Sequence, residues 1–173
     1  DRTNGFARTM SETLQIRTYK RGDHSALCKF MGELQDLERE WSNDRAPGPE
    51  MAADHIDYLL DLAQQSEGQA FVAKLDDQLV GFLILTIESS DEGDVHLVEP
   101  YRQYGVVTDL YVAEEARHQG VGGHLINAAE EHVRQAGLSR LLITTLTKNQ
   151  VAQKAYARLG YESYSVTMCK ACL

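Results

Sequence analysis

The chain is poor in proline, cysteine and tryptophan and has no long apolar run. Its 173 residues include 3 Pro, 3 Cys and 1 Trp, so collagen-like, proline-rich and disulfide-framework proteins are excluded. No apolar run approaches the roughly 20 residues that a membrane-spanning helix needs. Cys28, Cys169 and Cys172 are too few and too scattered for a disulfide framework, so we expect a reducing, cytoplasmic environment.

Basic residues are also scarce. There are 17 Lys and Arg residues against 26 Asp and Glu residues, which gives a net charge of −9 and an isoelectric point near 5.1. Such a surface repels phosphate backbones and anionic lipids, so we expect neither nucleic acid nor a membrane as a partner. The hydrophobic content of 43% and the charged content of 25% are ordinary for a globular domain.

The apolar pattern predicts a mixed sheet with helices on its faces, in the order β-α-α-β-β-β-α-β-α-β. Residues 1–9 are expected to be an added or disordered extension, and residues 10–173 a single domain. The predicted elements are a strand over 14–19, a helix capped by Asp23 and continuing to about Trp41, a helix over 50–65, a hairpin of 69–75 and 79–87, a strand over 106–112, a helix that stops at Gly137, a strand over 141–145, a helix over 149–159 and a last strand from Tyr161 to Met168.

The most informative stretch, Val107 to Leu125, joins a strand, a glycine-bearing turn and an amphipathic helix. The first N–H groups of a helix have no intrahelical partner, and the helix dipole adds partial positive charge. Gly120, Gly122 and Gly123 let a bulky anion come close, so the junction suits a pyrophosphate, to which Arg117 adds a cation. Alternatively, these glycines only form a turn and allow close packing. Leu125 occupies the last glycine position of the dinucleotide fingerprint, so a nicotinamide site is disfavoured.

Two motifs resemble those of one family. Arg117-x-x-Gly120-x-Gly122, preceded by an Asp-Leu-Tyr-Val strand, resembles the acyl-CoA pyrophosphate loop of the GNAT superfamily of N-acetyltransferases. The segment from Asn149 through Ala152 and Tyr156 to Gly160-Tyr161 resembles the C-terminal segment of that family. The resemblance is specific in its residues from Val106 onward and covers 14–168 in element order. It implies an α/β fold whose mixed, mostly antiparallel sheet splays open at the acyl-CoA site.

The resemblance implies acetyl-CoA as co-substrate and no metal ion. Main-chain groups of the strand before the glycine turn would pair with the pantetheine arm, and N–H groups from Arg117 to Gly122 would hold the pyrophosphate. The implied cofactor-binding residues are Leu110, Tyr111, Val112, Arg117, His118, Gln119, Gly120, Val121, Gly122, Gly123, Asn149, Ala152 and Tyr156.

The implied reaction moves an acetyl group to a primary amine of a small molecule or peptide, by direct attack through a tetrahedral intermediate. A lysine-like amine has a pKa of about 10.4, so some base must take its proton. Asp109 is the first candidate, with Glu88, Glu99 or a water chain as alternatives, and Tyr156 would protonate the departing thiolate. Each assignment has a structural alternative: Asp109 as a carboxylate bonded to backbone, Tyr156 as a core aromatic, and Asn149 as a helix cap.

Strand alternation predicts that Val107, Asp109 and Tyr111 share one face, opposite Thr108, Leu110 and Val112. The acceptor pocket is expected from the N-terminal helices and the connection over 89–104. The acidic residues of the first helix, Glu33, Asp36, Glu38 and Glu40, are expected to be solvated, with cation binding as the alternative.

Two other functions stay open at this point. The chain could be a non-catalytic acyl-CoA-binding sensor or scaffold module, or a structural protein whose glycine turn binds nothing. The resemblance also allows a homodimer that pairs through the C-terminal strands. No motif identifies the acceptor amine.

Overall fold

The computed structural model describes residues 13–172, so the prediction for residues 1–9 lies outside the described residues. The strands are β1 (Leu14–Thr18), β2 (Gln69–Leu75), β3 (Gln78–Ser89), β4 (Gln103–Val112) and β5 (Leu141–Ile143), and the α-helices are α1 (His24–Arg39), α2 (Gly48–Gln65), α3 (Val121–Gln135) and α4 (Gln150–Arg158). The α/β class is confirmed, and so is the predicted order of elements as far as α4.

One sheet organises the molecule, with strand order β1-β2-β3-β4-β5. Neighbouring strands are antiparallel except for β4 and β5, which are parallel. Helices α1 and α2 cover one face, where Phe30 and Ile56 pack on Phe82, and α3 covers the other, where Leu125 packs near Val107. Within residues 13–172, no helix is both long enough and apolar enough to cross a membrane.

Helices α1 and α2 meet backbone to backbone. A Cβ atom on Gly48 would lie 2.2 Å from the carbonyl oxygen of Gly32, so no larger residue fits this crossing. Asp36 on α1 accepts a hydrogen bond of 2.8 Å from the Gly48 N–H at the start of α2. Asp36 is exposed, as the sequence predicts, and this hydrogen bond gives it a structural role as well.

The turn before α1 differs from the prediction. Asp23 occupies the position before α1, but its side chain does not cap that helix. Its carboxylate instead accepts two hydrogen bonds from Arg17, of 2.7 and 2.8 Å, and one of 2.8 Å from the Lys20 N–H. Because Arg17 supplies two donors and a full charge, it holds the buried carboxylate more strongly than a single cap bond would.

The C-terminal segment is not a strand. The predicted last strand from Tyr161 to Met168 is wrong, since the described residues after α4 have no regular secondary structure. Tyr164, Val166 and Met168 alternate as a strand would, yet they are 62%, 72% and 87% exposed. Alternation shows that a segment has an apolar face, whereas a strand also needs a partner edge, and this segment pairs with none of the described strands.

Strand β4 contains one extra residue. Asp109 lies opposite Ile84, while Val107 lies opposite the next residue of β3, so Thr108 is a β-bulge. The bulge shifts the alternation: Val107 packs on the α3 side, whereas Tyr111 packs with α1 and α2. Asp109 lies two positions from Tyr111 and shares its face. The prediction that Val107 shares that face is therefore wrong.

Candidate active site

The sheet opens between β4 and β5. These strands pair only where Gly105, Val106 and Val107 lie opposite Leu141–Ile143. Strand β5 then ends, while β4 continues past the Thr108 bulge to Val112. The second half of β4 therefore has one side that no described strand covers.

The free main-chain groups on that side belong to alternate residues. Ala113 donates its N–H to Val80 of β3 at 2.8 Å, and in an antiparallel ladder every second residue points the same way. Tyr111 therefore directs its main-chain groups at β3, and Leu110 and Val112 direct theirs at the open side. The sequence predicted main-chain contacts from Leu110, Tyr111 and Val112. The hydrogen-bonding pattern leaves Leu110 and Val112 with main-chain groups on the open side.

The N-terminus of α3 lies beside this open edge. The first intrahelical bond joins the His124 N–H to the Gly120 carbonyl at 3.1 Å. The N–H groups of Val121, Gly122 and Gly123 precede it, so the helix itself offers them no acceptor, and no side chain caps the helix. These N–H groups and the helix dipole make the junction suitable for an anion.

The glycines of the junction differ in why they are needed. Gly120 has φ of +80°, a conformation that favours glycine. On Gly122, however, a Cβ would lie 3.8 Å from Val112 Cγ2 and 4.0 Å from Leu110 Cδ2, and on Gly123 the contact would also be ordinary. The turn thus accounts for Gly120, but neither turn nor packing requires the other two, which leaves the approach of a ligand as a reason for their small size.

The side chains of the loop before α3 turn back onto the protein. The Nε atom of Arg117 donates to the Val112 carbonyl at 3.0 Å, and its guanidinium lies 5.6 Å from the centre of the Tyr111 ring. Gln119 donates to the Glu115 carbonyl at 3.1 Å. The cation expected for the pyrophosphate therefore also braces the end of β4.

Asp109 lies on the α1–α2 side of the open segment. Burial raises the pKa of its carboxyl above the ordinary value, and the nearby charge of Glu38 acts in the same direction. Electrostatic interactions with His55 and Arg45 oppose this rise in pKa. The Thr108 hydroxyl also opposes it, although among the described residues its oxygen is buried without a hydrogen-bond partner of normal geometry. A carboxyl with a raised pKa is a stronger base once ionised.

Tyr111 links α1 to the loop before α3. Its hydroxyl donates to Glu33 at 2.8 Å, and its ring packs 5.6 Å from that of Phe30. Burial and the Glu33 carboxylate raise the pKa of Tyr111 to about 12, so the phenol stays protonated. Glu33 therefore has a partner in the core, and no sequence signal except its place in an acidic run pointed to it.

Helix α4 carries the second motif. Asn149 accepts a hydrogen bond of 3.0 Å from the Ala152 N–H, which confirms it as a helix cap. Tyr156 is half-buried against the core on the α3 side, with its ring 6.3 Å from that of Tyr161. Burial raises the pKa of Tyr156, so its phenol carries a proton at neutral pH.

The alternative bases lie at the other end of the sheet. Glu88 is exposed and pairs opposite Tyr104, about 14 Å along β3 from Ile84, the residue opposite Asp109, at the usual rise per residue. Glu99 is exposed in a short turn that leads into β4. The connection over 89–104 therefore lies near the beginning of β4, away from Asp109.

The histidines near α3 have other partners. His124 hydrogen-bonds the Gly120 carbonyl and His132 the Glu67 carbonyl, each at 2.9 Å. Within the part of the chain that the structure describes, no group of three or more His, Cys, Asp and Glu side chains is placed to hold a metal ion.

With this geometry in place, comparison with known proteins points in one direction. Residues 33–161 match the profile of the Acetyltransferase (GNAT) family. The uncharacterized N-acetyltransferase YhfO of Bacillus subtilis is 27% identical over 149 residues, which cover 86% of this chain and 90% of that protein.

Solved structures share the fold. A GCN5-related N-acetyltransferase from Ralstonia eutropha superposes with a TM-score of 0.68 at 21% identity, covering 92% of this chain and 99% of the other. An aminoglycoside antibiotic 6′-N-acetyltransferase from Acinetobacter haemolyticus superposes with a TM-score of 0.66 at 15% identity, covering 92% and 98%. At these identities the likeness concerns the fold alone.

Proposed function

The chain belongs to the acetyltransferase (GNAT) family and is an acetyltransferase, and we propose that it transfers the acetyl group of acetyl-CoA to a primary amine of a small molecule or peptide. The observation that carries this proposal is the open edge of β4 beside the uncapped N-terminus of α3. Leu110 and Val112 offer main-chain groups there, and Gly122 leaves room for a ligand.

The proposed acetyl-CoA site binds an anion, although the protein as a whole is acidic. A net charge of −9 repels anions at long range, so a pyrophosphate needs local donors. The first-turn N–H groups of α3, from Val121 to Gly123, supply them, and Arg117 adds a cation next to the loop. Asn149, which caps α4, and Ala152 and Tyr156 within that helix complete the proposed donor site.

Acetyl-CoA supplies the acetyl group as a thioester. In this proposal, an N–H group of Leu110 or Val112 on the open side of β4 stabilises the negative charge that gathers on the carbonyl oxygen during attack. Such a donor is fixed by the strand, so it needs no reorganisation when charge develops. The amine attacks directly, and the protein forms no covalent intermediate.

Asp109 takes the proton of the acceptor amine in this proposal. It lies on the α1–α2 face of β4, in the segment whose Leu110 and Val112 main-chain groups would face acetyl-CoA. Its raised pKa brings the carboxylate closer to the proton affinity that a base at neutral pH needs. Glu88 and Glu99 are too distant along the sheet to share this role.

Tyr156 returns a proton to the departing thiolate. Its phenol is half-buried and protonated, because burial raises its pKa. Tyr161 provides a matched control. Its ring packs beside that of Tyr156, but its hydroxyl donates to Glu130 at 2.9 Å.

The test measures CoA binding by calorimetry and thiol release with a panel of amines. We expect CoA to bind, at least one amine to give turnover, and Tyr156→Phe to lower kcat by roughly 100-fold without loss of CoA affinity. Tyr161→Phe should keep its kcat. No CoA binding at millimolar concentration would refute the proposal, and CoA binding without turnover on any amine would favour the non-catalytic alternative.

A homodimer and a cytoplasmic location are also part of the proposal. The dimer is supported by the position of β5 at the edge of the sheet, and the location by the scattered cysteines of the sequence. Light scattering on the purified chain measures the mass in solution, and a monomer at all concentrations would contradict the dimer.

A further inference from the structure

A second concave surface lies at the opposite end of the sheet from Asp109. It is a cavity of about 300 Å³ where β3 ends and where β4 and β5 begin. Tyr104 in its wall is about 17 Å along the sheet from Leu110 at the usual rise per residue, because the two residues lie opposite Glu88 and Leu83 of β3. The lining residues that matter here are Asp91, Asp94, Leu97, Arg140, Leu142 and Tyr164.

Arg140 is the distinctive group of this cavity. Its guanidinium lies close to two aromatic rings, 4.2 Å from the centre of Tyr101 and 5.0 Å from that of Tyr164. Its carbonyl accepts the Gly105 N–H at 2.9 Å, so the backbone is fixed as well. Contact with two rings restricts the orientation of the guanidinium, and its N–H donors lie in the guanidinium plane, where they can bind other partners.

Those donors have few partners among the described residues. The guanidinium donates to the Tyr164 hydroxyl at 3.4 Å, and none of the ion pairs among residues 13–172 includes Arg140. An oriented guanidinium edge of this kind matches a carboxylate, which it can bind through two parallel hydrogen bonds.

Besides Arg140, the lining contains two carboxylates, the imidazole of His96 and neutral residues. Asp91 and Asp94 lie on the connection between β3 and β4, and Asp94 hydrogen-bonds His96. Leu97 and Leu142 add apolar surface. The carboxylates repel a phosphate or a dicarboxylate, and the guanidinium repels a simple amine, so the lining fits a ligand that carries both charges.

We propose that this cavity binds a small zwitterion, specifically a free α-amino acid. Its carboxylate binds the Arg140 guanidinium, its ammonium group lies toward Asp91 and Asp94, and its side chain contacts Leu97 and Leu142. The volume is at the lower end of the range for ligand sites, which suits a molecule of this size. The site is separate from the acetyl-transfer site and does not depend on that proposal.

Calorimetry on the whole chain without CoA tests this inference. The probes are L-leucine, L-methionine and L-glutamine, together with isoamylamine and 4-methylpentanoate, which each keep one of the charges of leucine. We expect at least one amino acid to bind with a stoichiometry of one per chain, and the compounds with one charge to bind at least about tenfold more weakly.

Variants locate the site. Arg140→Met should weaken amino-acid binding at least about tenfold, and Arg140→Lys, which keeps the charge but loses the planar fork, should also weaken it. Arg134→Met, an exposed control on α3, and Asp109→Asn should bind as the wild type does.

Three results would overturn the inference. One is no binding of any probe up to about ten millimolar, a weak-affinity limit. Another is binding that survives Arg140→Met and Arg140→Lys but is lost in Asp109→Asn, which would assign the amino acid to the acceptor site. The third is a dimer that dissociates on Tyr164→Ser and binds no amino acid, which would show that a second copy covers this surface.

Discussion

Replacement of Gly122 by glutamate separates the anion-binding role of the α3 N-terminus from its role in the fold. Gly122 has an ordinary backbone conformation, and a Cβ there makes contacts of 3.8 Å and 4.0 Å with the side chains of Val112 and Leu110. The fold therefore accepts the new side chain. A carboxylate in the first turn of a helix also interacts favourably with the dipole, so the melting temperature of Gly122→Glu should equal or exceed that of the wild type.

The same carboxylate should repel a bound pyrophosphate. A pair of like charges about 4 Å apart near a protein surface costs between about 1 and 4 kcal/mol. A loss of about 2 kcal/mol corresponds to a roughly 30-fold weaker Kd for CoA. Because salt screens such a repulsion, the difference from wild type should shrink as ionic strength rises.

Calorimetry with CoA and with pantetheine, which lacks the pyrophosphate, isolates the contribution of the pyrophosphate to binding. Gly122→Glu should lose affinity for CoA and keep whatever affinity the wild type has for pantetheine. Asn127→Glu adds the same charge farther along α3 on an exposed position and should bind CoA as the wild type does. A folded Gly122→Glu variant with unchanged CoA affinity would refute the assignment of this turn to the pyrophosphate.

Three further predictions concern stability and pH. Gly68→Ala should lower the free energy of unfolding by about 3 kcal/mol in urea titrations, because its Cβ would lie 2.0 Å from a backbone oxygen of β3, whereas Gly22→Ala, with open space around it, should change it by less than about 0.5 kcal/mol. Asp23 has a pKa lowered by the Arg17 hydrogen bonds, so its contribution to stability is present above pH of about 4 and is lost as the pH falls further; a wild-type advantage over Asp23→Asn that does not shrink as the pH is lowered below about 4 would contradict this. Asp109 has a pKa raised by burial, so its ionised form costs stability at neutral pH: Asp109→Asn should raise the melting temperature at pH 7, equal the wild type near pH 3, and lower kcat.

The sequence predicted most of the fold because its main signals are local. The hairpin of β2 and β3 followed from two β-rich runs around Asp76, which adopts φ of +52° in the turn. The beginning of α3 followed from the glycines around Gly120. Each of these signals lies within a few residues of the structure that it specifies, so no knowledge of distant contacts was needed.

The features that the sequence did not reveal depend on distant partners. The Thr108 bulge exists only relative to the register of β3, and nothing in the neighbouring residues marks it. The bond from Tyr111 to Glu33 joins residues that are far apart in the chain. For the same reason, the sequence placed Asp109 in the right strand but could not show which residues would surround it.

The open edge of β4 has a consequence for how such chains diverge. The groups that it presents are peptide N–H and C=O groups, and every amino acid other than proline carries both. Replacement of Leu110 or Val112 by another strand-forming residue would leave those groups in place. Relatives that share only 15% to 27% of their residues with this chain can thus retain the same main-chain arrangement at this edge. The side chains of α1 and α2 that face the edge are free to change.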